Sequence, residues 1–516
     1  MGLRVQGSYN MKALDILFVH PNASGEIYQS LSVEHSAIET PIWAAMLANS
    51  ARSKGASVGV LDAEAERLSA FETARRISEV NPRIACFVVY GQQPSASSQN
   101  MEGAVKTSSA LKEFSPSIKV LFVGPHVSAL PDETLAREKS IDFVCMNEGV
   151  YTVHQICQVQ DLEDVSFLSK VQGLVYRDHG KILHSEPSAV VPRERLHVDL
   201  PGPAWDLLPS FDRYRTAGWH SWSNNSEKQP FASLYTSLGC PYKCSFCMIN
   251  IINRTKKGPE ISSQDSNVFR WWDPEFIIQQ FDTLARAGVK NVKIADELFV
   301  LNVNHFMKLC DLIIERGYDF NIWAYSRVDT CKPEYLEKLR KAGVKWLALG
   351  IENPNTVLRK EVHKGGFKDV RIADIVSEMR SHDISVMSNY IFGLPADTHE
   401  SIKETYQYAV ENMTEAVNFY SAMAYPGSPL YNKSRKNEWE LPSSYSGYSQ
   451  HSYDTLNLRN ENLTAAEILD FRDNAWKNFH TNSSYLNLIE GKFGIKARKN
   501  VEMSTRITLK RKILGD

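Results

Sequence analysis

LGCPYKCSFC, residues Leu238 to Cys247, follows directly on an apolar run from Leu234 to Ser237 that reads as a strand. It sets Cys240, Cys244 and Cys247 on one short loop with the spacing C-x3-C-x2-C. Thiolate is the soft ligand that iron–sulfur clusters require, so three of them on one loop can hold three irons of a [4Fe–4S] cube and leave the fourth open. No other cysteine lies between residues 158 and 309 to close such a cube. Structural zinc is the alternative, and it would need a fourth Cys or His at finger-like spacing, for which only distant candidates such as His220 exist.

Outward from this loop, strands and helices alternate. Downstream, the runs Asn291 to Asp296, Phe320 to Arg327, Trp346 to Glu352, Ser385 to Gly393 and Ala416 to Tyr425 read as strands. In WDPEFIIQQFDTLARAG, Asp273 is a natural N-cap, Pro274 fits the first helical position and Gly288 ends the run. With Leu234 to Ser237 these units predict a partial (β/α)6 barrel over residues 230–430, with its active site at the carboxyl ends of the strands. Upstream, Asp15 to His20, Ser57 to Asp62, Arg83 to Gly91, Ile118 to His126 and Asp142 to Gly149 read as buried parallel strands. Between the first two lies a helix, Ile42 to Lys54, with Ile42, Met46, Leu47 and Ala51 on one stripe and Gly55 as its stop. The expected result is α/β, a Rossmann-like sheet over residues 12–157 whose ligand edge lies at His20-Pro21-Asn22, Gly91-Gln92-Gln93 and Gly124-Pro125-His126. Residues 158–229 read as a linker with a hairpin-like GLVYRDHGKIL and a proline-rich LPGPAWDLLP, and residues 431–516 as a small, mainly helical C-terminal region with a basic, solvated tail. Met11 stands just before the first strand, so residues 1–10 are expected to be an upstream start or a loose tail.

A chain of 516 residues is too long for one ordinary domain, and 43% hydrophobic with 23% charged residues is ordinary globular composition. Its 58 basic and 60 acidic residues nearly cancel, which gives no global field toward nucleic acid or anionic lipid. With no leader-like segment and no apolar run of the ~18 residues a span needs, a cytoplasmic setting without membrane or nucleic-acid partners is expected. Eight cysteines, three of them bunched, fit a reducing compartment and one metal site.

In its barrel context the triad resembles the radical S-adenosylmethionine (SAM) superfamily. The resemblance implies that the amino and carboxylate groups of SAM chelate the open iron. An electron from the cluster, delivered by a donor such as flavodoxin or ferredoxin, then cleaves the sulfonium to a 5′-deoxyadenosyl radical that takes hydrogen from substrate. It continues along the barrel. Asp296 and Glu297 look like the acidic turn that receives the methionine ammonium, Arg327 like the partner of the methionine carboxylate, Glu352 like the acid that binds ribose hydroxyls, and Gly393 in IFGLP like the loop that packs on adenine. Each also has a structural reading: Asp296 and Glu297 as a helix N-cap, Arg327 as a surface ion pair, Glu352 as a salt bridge on the barrel rim. Their order on successive strand ends carries the resemblance.

GPHVSALPDETL (Gly124 to Leu135), FVCMNEG (Phe143 to Gly149), LPGPAWDLLP, GLPADTHESI (Gly393 to Ile402) and YPGSPLY (Tyr425 to Tyr431) are similar to the cobalamin-dependent branch of that superfamily, over about residues 12–431. The branch includes methylases of non-nucleophilic carbon or phosphorus and an anaerobic porphyrin-ring cyclase. It implies a flavodoxin-like cobalamin-binding first domain, with the nucleotide tail of the cofactor beside Gly91 and Gly124; a domain that keeps the fold without the cofactor is the plainer alternative. The D-x-H-x-x-G loop by which the cobalamin fold of methionine synthase supplies a histidine to cobalt is absent, and His20 has no acid two residues before it. Radical methylthiotransferases would need three N-terminal cysteines, but of Cys86, Cys145 and Cys157 the first two fall inside apolar strands. Cys310 and Cys331 read as inert. Trp439, Tyr445, Tyr448, Tyr453 and Trp476 are expected either to cover the barrel mouth or simply to pack. The leading expectation is methyl transfer to a small-molecule substrate. Oxidation, cyclisation or ring rearrangement with the same cofactors, and a cobalamin-binding sensor or carrier with a degenerate barrel, are the other readings.

Overall fold

The computed structural model describes residues 14–91, 93–256, 261–365, 367 and 370–516; Met11 and Gln92 of the sequence reading lie outside the described residues. Short apolar runs become the strands of a first sheet: β1 (Ile16–His20), β2 (Val58–Asp62), β3 (Ile84–Val88), β4 (Lys119–Val123) and β5 (Phe143–Cys145). These five are parallel in the order β2-β1-β3-β4-β5. Every residue of β1, β3 and β5 is buried, as expected of strands covered by helices on both faces. The strand order reverses at β1 and β3, where such sheets hold ligands.

The hairpin of the expected linker belongs to this sheet. β6 (Leu174–Asp178) pairs antiparallel with β5, and β7 (Lys181–His184) with β6, through a tight turn at His179 (φ +44°) and Gly180 (φ +81°). The boundary expected at residue 157 therefore falls inside the sheet. Only three residues long, β5 would otherwise expose unpaired backbone groups along its outer edge, and the hairpin covers them.

The second sheet opens with β8 (Phe231–Leu234), which starts earlier than the sequence predicts. Residues beyond it form a two-stranded pair, β9 (Ser237–Leu238) with β10 (Arg270–Trp271). Then come β11 (Asn291–Ile294), β12 (Asn321–Ser326), β13 (Val344–Glu352), β14 (Ser385–Phe392) and β15 (Ala416–Ser421). The order β15-β14-β13-β12-β11-β8 is parallel throughout and makes the expected six-stranded partial barrel. In the helix Pro274–Arg286, Ile277, Ile278, Phe281 and Leu284 are buried, whereas Asp273 pairs with Arg193 at 3.2 Å rather than capping.

The C-terminal helices start at Ala465, behind a capping box of Thr464 and Glu467, and pack on the barrel through Phe479 against Phe419 (5.8 Å between rings). The strap before them crosses to the first sheet. Tyr445 donates to Glu138 (2.8 Å) and meets the His126 ring edge-on at 5.3 Å, and Ser449 donates to Ile27 O (2.9 Å). Tyr445 thus lies on the first domain, whereas Tyr448 stacks on Tyr425, just beyond β15, at 6.3 Å. Arg137 lies over the Tyr445 ring at 4.4 Å, so both the ring face and the hydroxyl are satisfied there. Tyr453 is exposed and Trp476 stacks on His480. Gln29 donates to His451 O (2.7 Å) and Lys510 O (3.1 Å), joining residues 481 positions apart.

Two ion pairs lock the sheets' carboxyl ends toward each other. Arg270 and Glu148 meet at 2.7 Å, almost fully buried, and Lys293 meets Glu39 at 2.9 Å. Thr40 exchanges hydrogen bonds with the backbone of Ser233 on β8. Among the described residues no helix is long and apolar enough to cross a membrane.

Candidate active site

The cysteine loop leaves β9 at Gly239, whose φ of +83° and approach to Val268 O (2.1 Å from an added Cβ) exclude any other residue. Asn250 brackets Cys240, accepting from its N–H (3.2 Å) and donating to its carbonyl (2.7 Å). Ser245 N–H donates to Val362 O, and Leu430 N–H to Ser245 O, both at 2.9 Å. Ser263 donates to Cys247 O (2.5 Å) and Gln264 to Lys243 O (2.6 Å). The loop is thus tied to its surroundings by backbone groups; its three cysteines form no disulfide, and the Cys244 thiol lies 3.9 Å from His363 O.

Burial pushes the Cys240 thiol up to about 12 and raises Cys244 and Cys247 as well, so the triad becomes thiolate only when a metal displaces the protons. Among the described residues no three His, Cys, Asp or Glu side chains are grouped to hold a single metal ion. His220, the distant candidate for a zinc ligand, is bonded to Thr216 (2.5 Å) and to Asn321 O (2.8 Å). In a cubane each thiolate binds its own iron, so three thiols that share a loop without converging on one point fit a cluster better than zinc.

The two acids after β11 face opposite ways. Asp296 is fully buried and accepts from Thr236 N, Thr236 Oγ1 and Ser237 Oγ, each at 2.6 Å, while His305 donates to the Thr236 hydroxyl (3.1 Å). Its carboxylate braces the segment between β8 and β9. Glu297 instead has one buried oxygen without a partner. Burial lifts its pKa to about 7, against the pull of backbone N–H groups and Arg270. Such an oxygen beside Cys240 is a ready acceptor for an ammonium group.

Arg327, after β12, is buried rather than on the surface. It is forked onto both oxygens of Asp329 (2.8 and 3.0 Å), donates to Lys364 O (2.7 Å) and lies over the Tyr242 ring at 3.9 Å. Glu352 ends β13 at a bulge, with φ +64°, and pairs with buried Lys364 at 2.7 Å. Lys364 escaped the sequence reading because it sits in a loop outside any motif. Gly393 (φ +81°) faces Ile468, 2.6 Å from an added Cβ, and Asp397 holds its loop by accepting from Leu394 N (2.8 Å) and Ser401 (2.6 Å).

In the first sheet, Gly124 (φ +152°) admits the carbonyl of Val89, 2.3 Å from an added Cβ, and Gly91 (φ +76°) admits Ala96 at 2.6 Å. Both glycines serve close approaches within the protein. Gly91 also borders a small pocket, about 30 Å3, together with His20, Trp43 and Tyr90. His20 does have an acidic partner, Glu64 at 3.4 Å, supplied by the chain after β2. Burial opposes its charge, but Glu64 and Asp62 outweigh burial and hold His20 above the ordinary histidine range.

Between the sheets lies a cleft with a cavity volume of about 340 Å3. Tyr28, Gln93 and Gln99 line it from the first domain, and Lys293, Tyr325 and Tyr420 from the barrel. Trp43 stacks on Tyr90 (4.9 Å) and meets Tyr235 edge-on (6.4 Å), carrying an aromatic contact from the edge of the first sheet to the segment after β8.

The family profile described as B12 binding domain matches residues 33–156, and that of the Radical SAM superfamily matches residues 234–409. The chain is a radical SAM enzyme with a B12-binding domain. An uncharacterized methyltransferase of Pyrococcus horikoshii is 25% identical over 441 residues, 85% of this chain and 87% of that one. The anaerobic magnesium-protoporphyrin IX monomethyl ester cyclase of Cereibacter sphaeroides is 23% identical over 90% of this chain and 70% of its own. Among solved structures, the radical SAM methyltransferase TsrM of Kitasatospora setae, with cobalamin and a [4Fe-4S] cluster bound, superposes with a TM-score of 0.60 at 15% identity, covering 95% of this chain and 99% of that one. The cobalamin-dependent radical enzyme OxsB superposes with 0.64 at 15% identity, over 95% and 71%. The last two likenesses show the shared fold of this radical SAM enzyme, whose domains call for a [4Fe–4S] cluster, SAM and cobalamin.

Proposed function

We propose that this enzyme moves a methyl group from SAM, by way of cobalamin, to an unactivated carbon or phosphorus of a small-molecule substrate. One observation carries the reading: the loops after β1 and β3 of the first sheet and the inner face of the barrel strands β11, β12, β14 and β15 line a single cleft, with a cavity volume of about 340 Å3. When bound, the cluster would supply the electron that cleaves SAM and the corrinoid would carry the methyl group, so both must reach one water-poor space. Cys240, Cys244 and Cys247 would hold the cluster. Glu297 would receive the SAM ammonium on its unpartnered oxygen, Arg327 would set a fixed positive charge toward the methionine carboxylate, and Glu352 would offer its other oxygen to the ribose. The Gly393 turn would lie beside the adenine, and Asp296, whose carboxylate braces the segment between β8 and β9, would not touch SAM. The wall of the Gly91 pocket and the turn at Gly124 would shape the corrinoid site. A flavodoxin or ferredoxin would deliver the electron.

The test uses protein purified without oxygen, a low-potential reductant, and SAM deuterated in its methyl group. About four irons and one cobalt per chain, with deuterated methyl found in a product, is the expected result. Formation of 5′-deoxyadenosine with cobalt bound and no label transferred would replace methyl transfer by oxidation or cyclisation.

A further inference from the structure

The loop after β13 runs against the cysteine triad. Val362 O accepts from Ser245 N–H (2.9 Å), His363 O lies 3.9 Å from Cys244 Sγ, and Lys364 O accepts from Arg327 (2.7 Å). These contacts fix the backbone of Lys364, and its buried side chain turns back to Glu352 Oε1 at 2.7 Å. Gly350 leaves the room, since an added Cβ would come within 2.7 Å of the ammonium nitrogen.

Two buried cations therefore border Cys244, and they are neutralised differently. Arg327 is forked onto both oxygens of Asp329, two residues away in the chain. Lys364 shares a single oxygen of Glu352. Burial works against the ammonium, but Glu352 and Cys244 hold its pKa above the ordinary lysine range.

We propose that Lys364 is a charge-balancing residue of the cluster site: its buried ammonium raises the reduction potential of the cluster held by Cys240, Cys244 and Cys247, and Glu352 sets how much of that charge the cluster feels. The inference rests on the reading of the triad as a cluster site. Reduction adds one electron to an already anionic cluster and its thiolates, with no bond or proton changing place. A nearby cation in a low-dielectric setting stabilises the reduced state more than the oxidised one.

The experiment is potentiometry of the reconstituted full-length enzyme without SAM, followed by electron paramagnetic resonance, on wild type, Lys364→Met, Lys364→Arg and Glu352→Gln. In Lys364→Met the reduced-to-oxidised ratio at a fixed potential should fall at least tenfold, about 59 mV for a one-electron couple. Glu352→Gln should shift it the other way, and Lys364→Arg should stay near wild type. A packing lesion would move the Met and Gln variants in the same direction, and that result overturns the inference. So do ratios within about twofold of wild type at full iron content. If Lys364→Met fails to assemble, Glu352→Gln decides the matter, and absence of its upward shift is negative. A wild-type protein that takes up no four-iron cluster sinks the underlying site reading instead.

Discussion

The two sheet edges that face the cleft are finished in opposite ways. At the first sheet the polar groups satisfy one another: Ser97 donates to Val89 O and accepts from His126 N–H (2.9 Å), and Ser98 meets His126 Nδ1 at 2.9 Å. Gly124 lets that carbonyl approach so closely that nothing else fits. At the barrel, bonding capacity is left over. The three thiols form no disulfide, a Glu297 oxygen is unpartnered, and Lys364 holds one oxygen of Glu352. A closed edge gains stability from its hydrogen bonds, and an open one carries an energetic cost that only ligands can offset.

Substitutions can break that contrast. The largest effect is expected from Cys244→Ala, which should abolish iron–sulfur absorbance and SAM cleavage while circular dichroism still reports a folded first sheet. Gly124→Ala should cost about 3 kcal/mol, because the obstacle is backbone, and chemical denaturation should show the loss with the cysteine loop untouched. Asp296→Asn should cost about 2 kcal/mol by weakening its three bonds, whereas Glu297→Gln, which removes a carboxyl that burial penalises, should raise stability at neutral pH and weaken SAM binding at least tenfold in calorimetry.

Titration sharpens the comparison. Glu297 in the folded chain titrates at about 7, above the ~4.3 of an unfolded glutamate. Between those values the unfolded chain has lost a proton that the folded chain keeps. Its contribution to stability therefore falls as pH rises from ~4.3 to ~7, by on the order of 4 kcal/mol, and is level above. His126 runs the other way. Burial depresses it to about 3, below the ~6.5 of an unfolded histidine, so its contribution is complete above ~6.5 and is lost as pH falls toward 3. Denaturation midpoints of ligand-free Glu297→Gln and His126→Asn between pH 5 and 7 should change slope with opposite signs. The smallest effect is expected at Gly393→Ala, about 1 kcal/mol, since the obstacle there is the flexible Ile468 side chain.

Both sheets were legible because parallel strands buried on two faces appear as unbroken apolar runs, and the triad because its spacing lies within one loop. What stayed hidden depends on neighbours far away in the chain. Asp296 and Glu297 are adjacent, but successive residues of an extended segment point to opposite sides, and only the positions of Thr236 and Ser237 show which acid is bound up. His20 reads as lacking an acid because the acid does not precede it. The parallel pairing of β1 with β2, His20 beside Asp62, brings Glu64 to it instead. The hairpin β6–β7 reads as linker because nothing local says which edge it will cover.

The clasp between Gln29 and Lys510 governs the order in which the molecule is completed. Contacts across 481 positions form late in folding, since the entropy of closing so long a loop must be met before they are rewarded. That bond is exposed and adds to a strap already held by Tyr445 on Glu138 and Ser449 on Ile27, so the far end of the chain closes over contacts made by its middle.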